Sequence, residues 1–528
     1  MLNGIRNTIG KLLGFGRVRP GHQQVAELAN AMAKRMHATY DAARTTDEFR
    51  NYWANADRLD ADSANSRDVR HTLISRSRYE CANNAFSDGI AQTITNDLIG
   101  TGPSLRMQTS SDGFNRMVEL TWSLWSEAAG FNRKLWCMGH AKHVDGEGFA
   151  ILRKNPRLKH PIPLDLVLYE AEQVQTPFLP FGEAGRIDGI RFDEFGNATT
   201  YEILHHHPGT TNRPLIWDIV PEQVPAESVL HWFRLRRPGQ HRGTPEMGSS
   251  LNVGAASRRW REANLSAAER AALLTLMMET NMTADEADAI APFTTMDVEK
   301  GMMNFLPEGW KPNQLEGKFP TASYEQFNKS LVNEQGRSVN MPRNKAAADS
   351  SDYNYASGRL DHGTYYDSLD VQRADCNSRV LNPLFSVWFD LAITRFGWLG
   401  GNPDAIGAGA KVHLWDWPKH RVADVEAEAN ATQTKLKSGQ TFLHIVFSDG
   451  GMDLEDELTK AAVSFGVTVD EMRKRILDSL YPAMLANGAP SSNDSTAVAA
   501  MFRQFQNRAD SLAIKTNGHN GAHHAEAN

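Results

Sequence analysis

The sequence predicts an α+β chain in which helix predominates, and three observations carry that reading. Apolar residues recur at spacings of three and four over most of the chain. Between Phe149 and Leu235, short alternating runs broken by Gly, Pro and Asn read instead as strands of a mostly antiparallel sheet. The 528-residue length exceeds one ordinary core and implies about three or four structural units.

Taken in order, residues 22–58 read as weakly patterned helix. From Ser66, a candidate N-cap, a stronger helical pattern runs to Leu98, where Gly100 and Gly102 stop it. A second helix is expected from about Asp112 to Ala129, with Trp122 and Trp125 on one face. The strands then follow as FAILRKN, DLVLYEAEQV, IDGIRFD, ATTYEILHHH and SVLHWFRL. Residues 252–280 read as one Ala- and Ser-rich helix that neighbouring helices can approach closely, and 281–320 as short Pro-punctuated pieces. The stretch SYEQFNKSLVNEQGRSV is helical again and stops before Pro342. The polar segment 341–357 lacks the apolar residues needed to pack. A long helix from about Leu360 to Phe396 is expected to bend near Pro383. Residues 420–487 read as helix, Gly-rich turn and helix, and the tail 488–528 as disordered.

Composition narrows function by exclusion. Hydrophobic content of 41% and charged content of 23% are those of a soluble globular protein. No run approaches the roughly 18 apolar residues of a membrane span, and the first residues lack a signal-peptide core, so no membrane partner and no secretion are expected. Cys81, Cys137 and Cys376 are too few and too far apart for a disulfide framework or a thiolate zinc site, which favours a reducing place of synthesis. A net charge of −7 argues against a broad basic face gripping nucleic acid, but not against a conduit that nucleic acid slides through.

No catalytic constellation emerges. His140, His143, Asp145 and Glu147 are ligand types without a metal-binding spacing, and His205, His206 and His207 alternate sides at a strand end, so no metal or other cofactor is expected. The phosphate cradle G-x-x-x-x-G-K-[ST] and the elbow G-x-S-x-G are both absent, which removes the usual signatures of a nucleotide-driven motor and of a serine hydrolase.

One stretch stands apart: FRLRRPGQHRGTPEM at 233–247 gathers Arg234, Arg236, Arg237 and Arg242 with no acid until Glu246. A solvated turn and an anion site are the competing explanations of the loop alone.

Several stretches together resemble the portal proteins of lambda-type tailed phages and prophages. They are Asn83-Asn84, Gly100-Thr101-Gly102, Asp145-Gly146-Glu147-Gly148-Phe149, then Val229-Leu230-His231 with Arg237-Pro238-Gly239-Gln240 and Arg242-Gly243-Thr244-Pro245. The last is Asn354-Tyr355-Ala356-Ser357-Gly358-Arg359, in which Ala356 and Gly358 depart from the family's N-Y-S-S-A-R. Each is common alone; five in one order between residues 66 and 465 are specific. Near the last domain, WDWPKHRVADVEAEANA departs from the family's Trp and Asp-Pro-x-Lys run.

The resemblance implies a portal fold and a ring of twelve subunits around a DNA channel. It divides the chain into a wing (1–245), a first stem helix (246–280), a clip (281–320), a second stem helix (321–340), a channel loop (341–357), the wing's long helix (358–419) and a crown (420–487). It implies a structural, non-enzymatic protein of the virion vertex, assembled in the host cytoplasm. The implied partners are double-stranded DNA, the terminase large subunit, the major capsid or scaffold protein and the head–tail connector proteins. Arg343 and Lys345 are the basic residues of the channel loop and the candidate DNA contacts. Arg237 and Arg242, read as pairing with a neighbour's acids ahead of DNA, join Ala256, Ala263 and Ala267 as candidate subunit-interface residues. The alternative is a head-associated enzyme, a nuclease or a maturation protease.

Overall fold

A computed structural model of the chain describes residues 51–176, 185–211, 220–273, 277–280, 310–313, 324–398, 408–420, 425–438, 440–449, 452 and 454–480. Residues 1–64 and 65–528 form two units. In the first, the described part is turns followed by the short helix α1, Ala61–Ala64. Of the helix expected at 22–58, residues 22–50 lie outside the described residues, and 51–58 form turn and irregular chain instead of helix; most of the clip and the tail 488–528 also lie outside the described residues.

The second unit opens with α2 (Arg67–Asn83) and α3 (Ala85–Ile99). The sequence reads this stretch as one helix; it is two, because Asn84 leaves helical geometry and caps the second by accepting from the Phe86 N–H. Asn84 also donates from Nδ2 to the Gly254 carbonyl at 3.2 Å, so the break is held by a helix 170 residues later. After strand β1 (Ser104–Met107) comes α4 (Asp112–Ala129), with Ser111 as N-cap and Gly130 in the left-handed region as its stop. A further helix, α5 (Phe131–Val144), follows directly.

The strand block forms two antiparallel sheets. In one, β2 (Glu147–Lys154) lies between β3 (Leu164–Tyr169) and β8 (Val229–Phe233). In the other, β4 (Arg186–Ile187), β5 (Ile190–Phe192), β6 (Ala198–Ile203) and β7 (Glu222–Pro225) follow in sequence order. Asp188 and Gly189, both at positive φ, make the two-residue turn between β4 and β5.

The helix α6 spans Leu251–Leu273, and α7 spans Tyr324–Arg337. They run antiparallel: Ser250 Oγ meets Ser338 Oγ at 3.2 Å, while Trp260 stacks on Tyr324 with centroids 4.7 Å apart. Residues 277–280, expected to be helical, form strand β9 (Met277–Thr280), paired with β10 (Trp310–Asn313). Pairing across the excursion overrides the local helical pattern. The segment after Pro342 also differs from expectation. It contains a short helix, α8 (Arg343–Ala347), and it packs, because Met341 and Ala346 are buried against α7 and α3.

Helix α9 (Tyr355–Cys376) continues through a π-turn, Asn377–Leu381, into α10 (Asn382–Phe396). The π-turn immediately precedes Pro383, whose ring would clash with the carbonyl of residue 379 in a regular helix. Strand β11 (His413–Asp416) then returns to pair with β1. Among the described residues four more helices follow: α11 (Val425–Lys437), α12 (Leu443–Asp449), α13 (Leu454–Phe465) and α14 (Val469–Leu480), the last two around a small core of Leu458, Ala462 and Met472. No helix among the described residues is long and apolar enough to cross a membrane.

The main core is aromatic. Trp122 lies within 4.8 to 5.9 Å, centroid to centroid, of Trp125, Phe131, Phe385, Trp388 and Trp415. These rings come from α4, α5, α10 and β11, so one residue ties the early helices to elements about 290 positions away. Trp122→Ala should lower stability by about 3–5 kcal/mol in chemical denaturation followed by circular dichroism, against no more than about 0.5 kcal/mol for Leu120→Ala on the exposed face of the same helix.

Candidate functional site

The basic loop leads from β8 to α6, and its conformation starts with close backbone contact. A Cβ on Gly146 would lie 2.2 Å from the Thr244 carbonyl carbon, and one on Gly243 would lie 2.1 Å from the Gly146 carbonyl oxygen. Only glycine fits at either place, so the loop crosses directly over the turn between α5 and β2. The Gln240 side chain organises the turn before it. Its Oε1 accepts from the Arg236 and Arg237 N–H groups at 2.9 and 3.3 Å, and its Nε2 donates to the Arg242 carbonyl at 2.9 Å.

Two buried charge clusters fix the loop. In the first, Arg242 donates to the Glu147 carboxylate from Nε at 3.0 Å and from Nη2 at 2.6 Å. Its remaining N–H groups go to the carbonyls of Val174, Asp188 and Ala171. Glu147 also accepts the Gly243 N–H at 2.9 Å and faces His231 Nε2 at 3.1 Å, with Arg70 at 3.6 Å. Arg70 in turn pairs with Asp188. Burial alone would raise the Glu147 carboxyl, yet Arg242, His231 and Arg70 outweigh it and hold it well below the usual range.

In the second cluster, Lys142 donates to Glu246 and to Gln372 Oε1, each at 2.7 Å, and lies over the Trp232 ring. His143 Nδ1 lies 2.6 Å from Glu246 Oε2. Because a carboxylate only accepts, the His143 proton belongs on Nδ1. Burial would raise Glu246 too, but Lys142 and His143 hold it well below the ordinary carboxylate value. Burial lowers both His143 and His231 despite their carboxylate neighbours, so both are neutral.

These contacts locate the residues singled out in the sequence. Arg242, read as a partner for a neighbour's acids, is spent inside its own subunit, since every N–H-bearing nitrogen of its guanidinium has an intrachain acceptor. Arg237 stands exposed at the loop tip. On α6, Ala256 and Ala263 are exposed and Ala267 is half-buried. The opposite face meets α2 and α7 through Gly254, Trp260, Arg258 on Glu80 and Arg261 on Asn84. Arg343 pairs with Asp352 at 3.1 Å. Lys345 pairs with Asp97 at 2.6 Å and sits over Tyr365 and Tyr366.

The four ligand-type residues at 140–147 go to four different partners: His140 stacks on Trp136, His143 meets Glu246, Asp145 meets Arg78 and Glu147 meets Arg242. Glu170, Glu172 and His207 do converge, but Arg78 binds both of those carboxylates and occupies the place of a cation. Sequence reasoning missed Glu246 as the loop's own counter-charge, although it is the first acid after the basic run. It also missed Asp97 and Asp352, which no local signal marks.

A family model described as phage portal protein, lambda family, matches residues 48–373, more than half of the chain. The chain belongs to the lambda family of phage portal proteins. As a portal protein it is a structural component of the capsid vertex. It is similar to a chain in the virion of a native gene transfer agent particle, at 13% identity and TM-score 0.38, covering 79% of this chain and 97% of that one. It is also similar to chains in two neck structures of such particles. In the empty particle, computed with C6 symmetry, identity is 15%, TM-score 0.40 and coverage 79% and 97%. In the native particle, computed with C12 symmetry, the values are 15%, 0.39, 76% and 94%. No curated protein matches the chain by sequence.

The clusters make two measurable claims. Glu147→Gln leaves Arg70 and Arg242 buried against a neutral amide and should cost about 3–5 kcal/mol of stability in chemical denaturation, whereas Arg237→Ala should change it by no more than about 0.5 kcal/mol. The pH dependence follows from groups whose folded pKa lies below the unfolded value. The unfolded chain then takes up protons that the folded chain refuses, so stability is full above about pH 6.5 and falls as His143 and His231 come into play. It falls further below about pH 4.5, where unfolded counterparts of Glu147 and Glu246 protonate. Thermal melts at pH 7.5, 6.0 and 5.0 should show a steadily decreasing Tm; a Tm that rises on acidification would contradict the assignment.

Proposed function

We propose that the chain assembles into a closed ring of twelve copies through which double-stranded DNA enters the capsid and later leaves. Membership of the portal family supports this reading, as does the antiparallel α6–α7 pair, a two-helix stem interrupted by the β9–β10 pair. The domain boundaries follow the family pattern, with wing 1–245, stem helices 246–280 and 321–340, clip 281–320, channel loop 341–357, the wing's long helix 358–419 and crown 420–487. The ring is passive and not an enzyme. A separate terminase supplies the work and docks on the clip, the excursion between the two stem helices. The wing and crown seat the ring against the major capsid or scaffold protein, and head–tail connector proteins later occupy the clip side. The protein is assembled in the host cytoplasm and stays in the virion.

The carrying observation for assembly is the outward face of α6. Ala256 and Ala263 stand exposed on it on either side of the exposed Arg259, leaving two small-residue gaps into which the side chains of another helix can pack. Arg237 at the loop tip is the remaining candidate for a charge contact between subunits. Arg343 and Lys345 are the basic groups of the channel loop, repeated once per subunit around the bore, which lets an acidic chain present local phosphate contacts.

Substituting Trp singly for Ala256, Ala263 or Ala267 adds bulk to this face, and at least one variant should shift from ring to monomer in size-exclusion chromatography with its circular dichroism unchanged. Rings from all three would remove α6 from the subunit contact. Exchanging residues 285–316 for the segment of a related phage should change which terminase packages DNA while rings still form; unchanged motor choice would place docking elsewhere.

A further inference from the structure

The segment joining α7 to α9 ends on an acid, Asp352, that gathers two cations, one of which, Lys329, also meets Glu325 of its own helix at 2.6 Å. Helix α8 is flanked by Asn340 at φ 59° and Ala348 at φ 51°, two non-glycine residues in the left-handed region. Asparagine adopts this region readily, whereas for Ala348 it costs about 1 kcal/mol or more and is held by the C-cap hydrogen bonds of α8. Just beyond, Asp352 Oδ2 receives two cations from two different elements: Lys329 of α7 at 2.5 Å and Arg343 of α8 at 3.1 Å. The acid is 48% exposed, whereas the arginine side chain is 15% exposed and lies over the Tyr353 ring. The pairing is incomplete, because Arg343 Nη1 is buried with no hydrogen-bond partner. A carboxylate that serves two cations through a single oxygen leaves that donor unanswered. A tetrahedral anion in the same place offers further oxygens to both.

We propose that Lys329 and Arg343 form a latent phosphodiester site that Asp352 holds shut, and that the DNA backbone opens it by replacing the carboxylate. The proposal rests on the portal reading, since a ring repeats the site around the DNA. Lys345 is not part of it: its ion pair with Asp97 is supported by the Tyr365 hydroxyl, which donates to the same carboxylate at 3.1 Å. A surface carboxylate is a weak competitor that polyanionic DNA displaces and dilute monovalent anions do not. The basic residues are thereby screened in an empty ring and exposed in a filled one.

The test uses purified full-length protein and a short non-specific DNA duplex, with affinity read by fluorescence anisotropy at two salt concentrations. Asp352→Asn, which frees Arg343 and leaves Lys329 paired with Glu325 alone, should bind about fivefold tighter than wild type, the scale of releasing one surface ion pair, with a salt dependence steeper by about one unit. Adding Lys329→Gln and Arg343→Gln should return affinity to the wild-type level or below. Asp349→Asn removes the same charge from the same loop, from an acid that accepts from the Ser351 N–H, and should change little. Equal tightening by Asp349→Asn and Asp352→Asn would reduce the effect to net charge and overturn the proposal, as would unchanged binding by Asp352→Asn. Displacement of the duplex by millimolar inorganic phosphate would assign a free-anion site and overturn the DNA assignment. Electron micrographs of the same samples separate the two readings. Wild type without rings counts against the portal function, whereas rings with unaltered Asp352→Asn binding count against the latch alone.

Discussion

The buried pair between Arg242 and Glu147 is the constraint around which the loop, the sheet and the stem are arranged. Glu147 opens β2, and Arg242 lies in the loop that leads to α6, so a single contact spans 95 residues. Gly146 and Gly243 bring the two backbones together, and Lys142, His143 and Glu246 repeat the device one turn later. Burying these charges is costly, and a well-packed apolar replacement of both partners can be as stable. What the ionic version supplies is direction: a guanidinium whose N–H groups are all matched tolerates one loop path only. From that path α6 emerges in a fixed place, with Gly254 on Asn84 and Trp260 on Tyr324.

The same constraint explains how an acidic chain carries a concentrated basic loop. Arg242 and Arg70 neutralise Glu147 and Asp188, and Arg78 bridges Asp145, Glu170 and Glu172, whose combined charge exceeds its own. Positive charge in this region is structural, spent inside the subunit. Among the described residues of this region, Arg236 and Arg237 at the loop tip and Ala256, Arg259 and Ala263 on α6 are solvent-exposed. Functional surfaces in this protein are therefore to be sought where side chains stand clear of the network rather than where sequence shows the most arginine.

Sequence made the repeating parts legible. Trp122 and Trp125 three residues apart, Ser111 before their helix and Gly130 after it mark α4 almost to the residue, and alternation marks the main strands. Partners far apart in the chain left no such trace. Nothing local tells that Trp415 packs on Trp122, that Met277–Thr280 prefers a strand partner to its helical pattern, or that Asn84 interrupts a helix to hold Gly254. The segment 341–357 looks too polar to pack, because its two apolar anchors, Met341 and Ala346, are few and sit where only α7 and α3 reveal their burial. Arg242 was legible as important and illegible as buried, since burial depends on Glu147 arriving from another strand.

Assembly is the claim on which the functional account turns, and electron microscopy of the purified full-length protein addresses it most directly. Two-dimensional class averages should show rotationally symmetric rings with a central hole wide enough for a DNA duplex. Compact particles without symmetry, at concentrations where the protein is folded, would contradict the account.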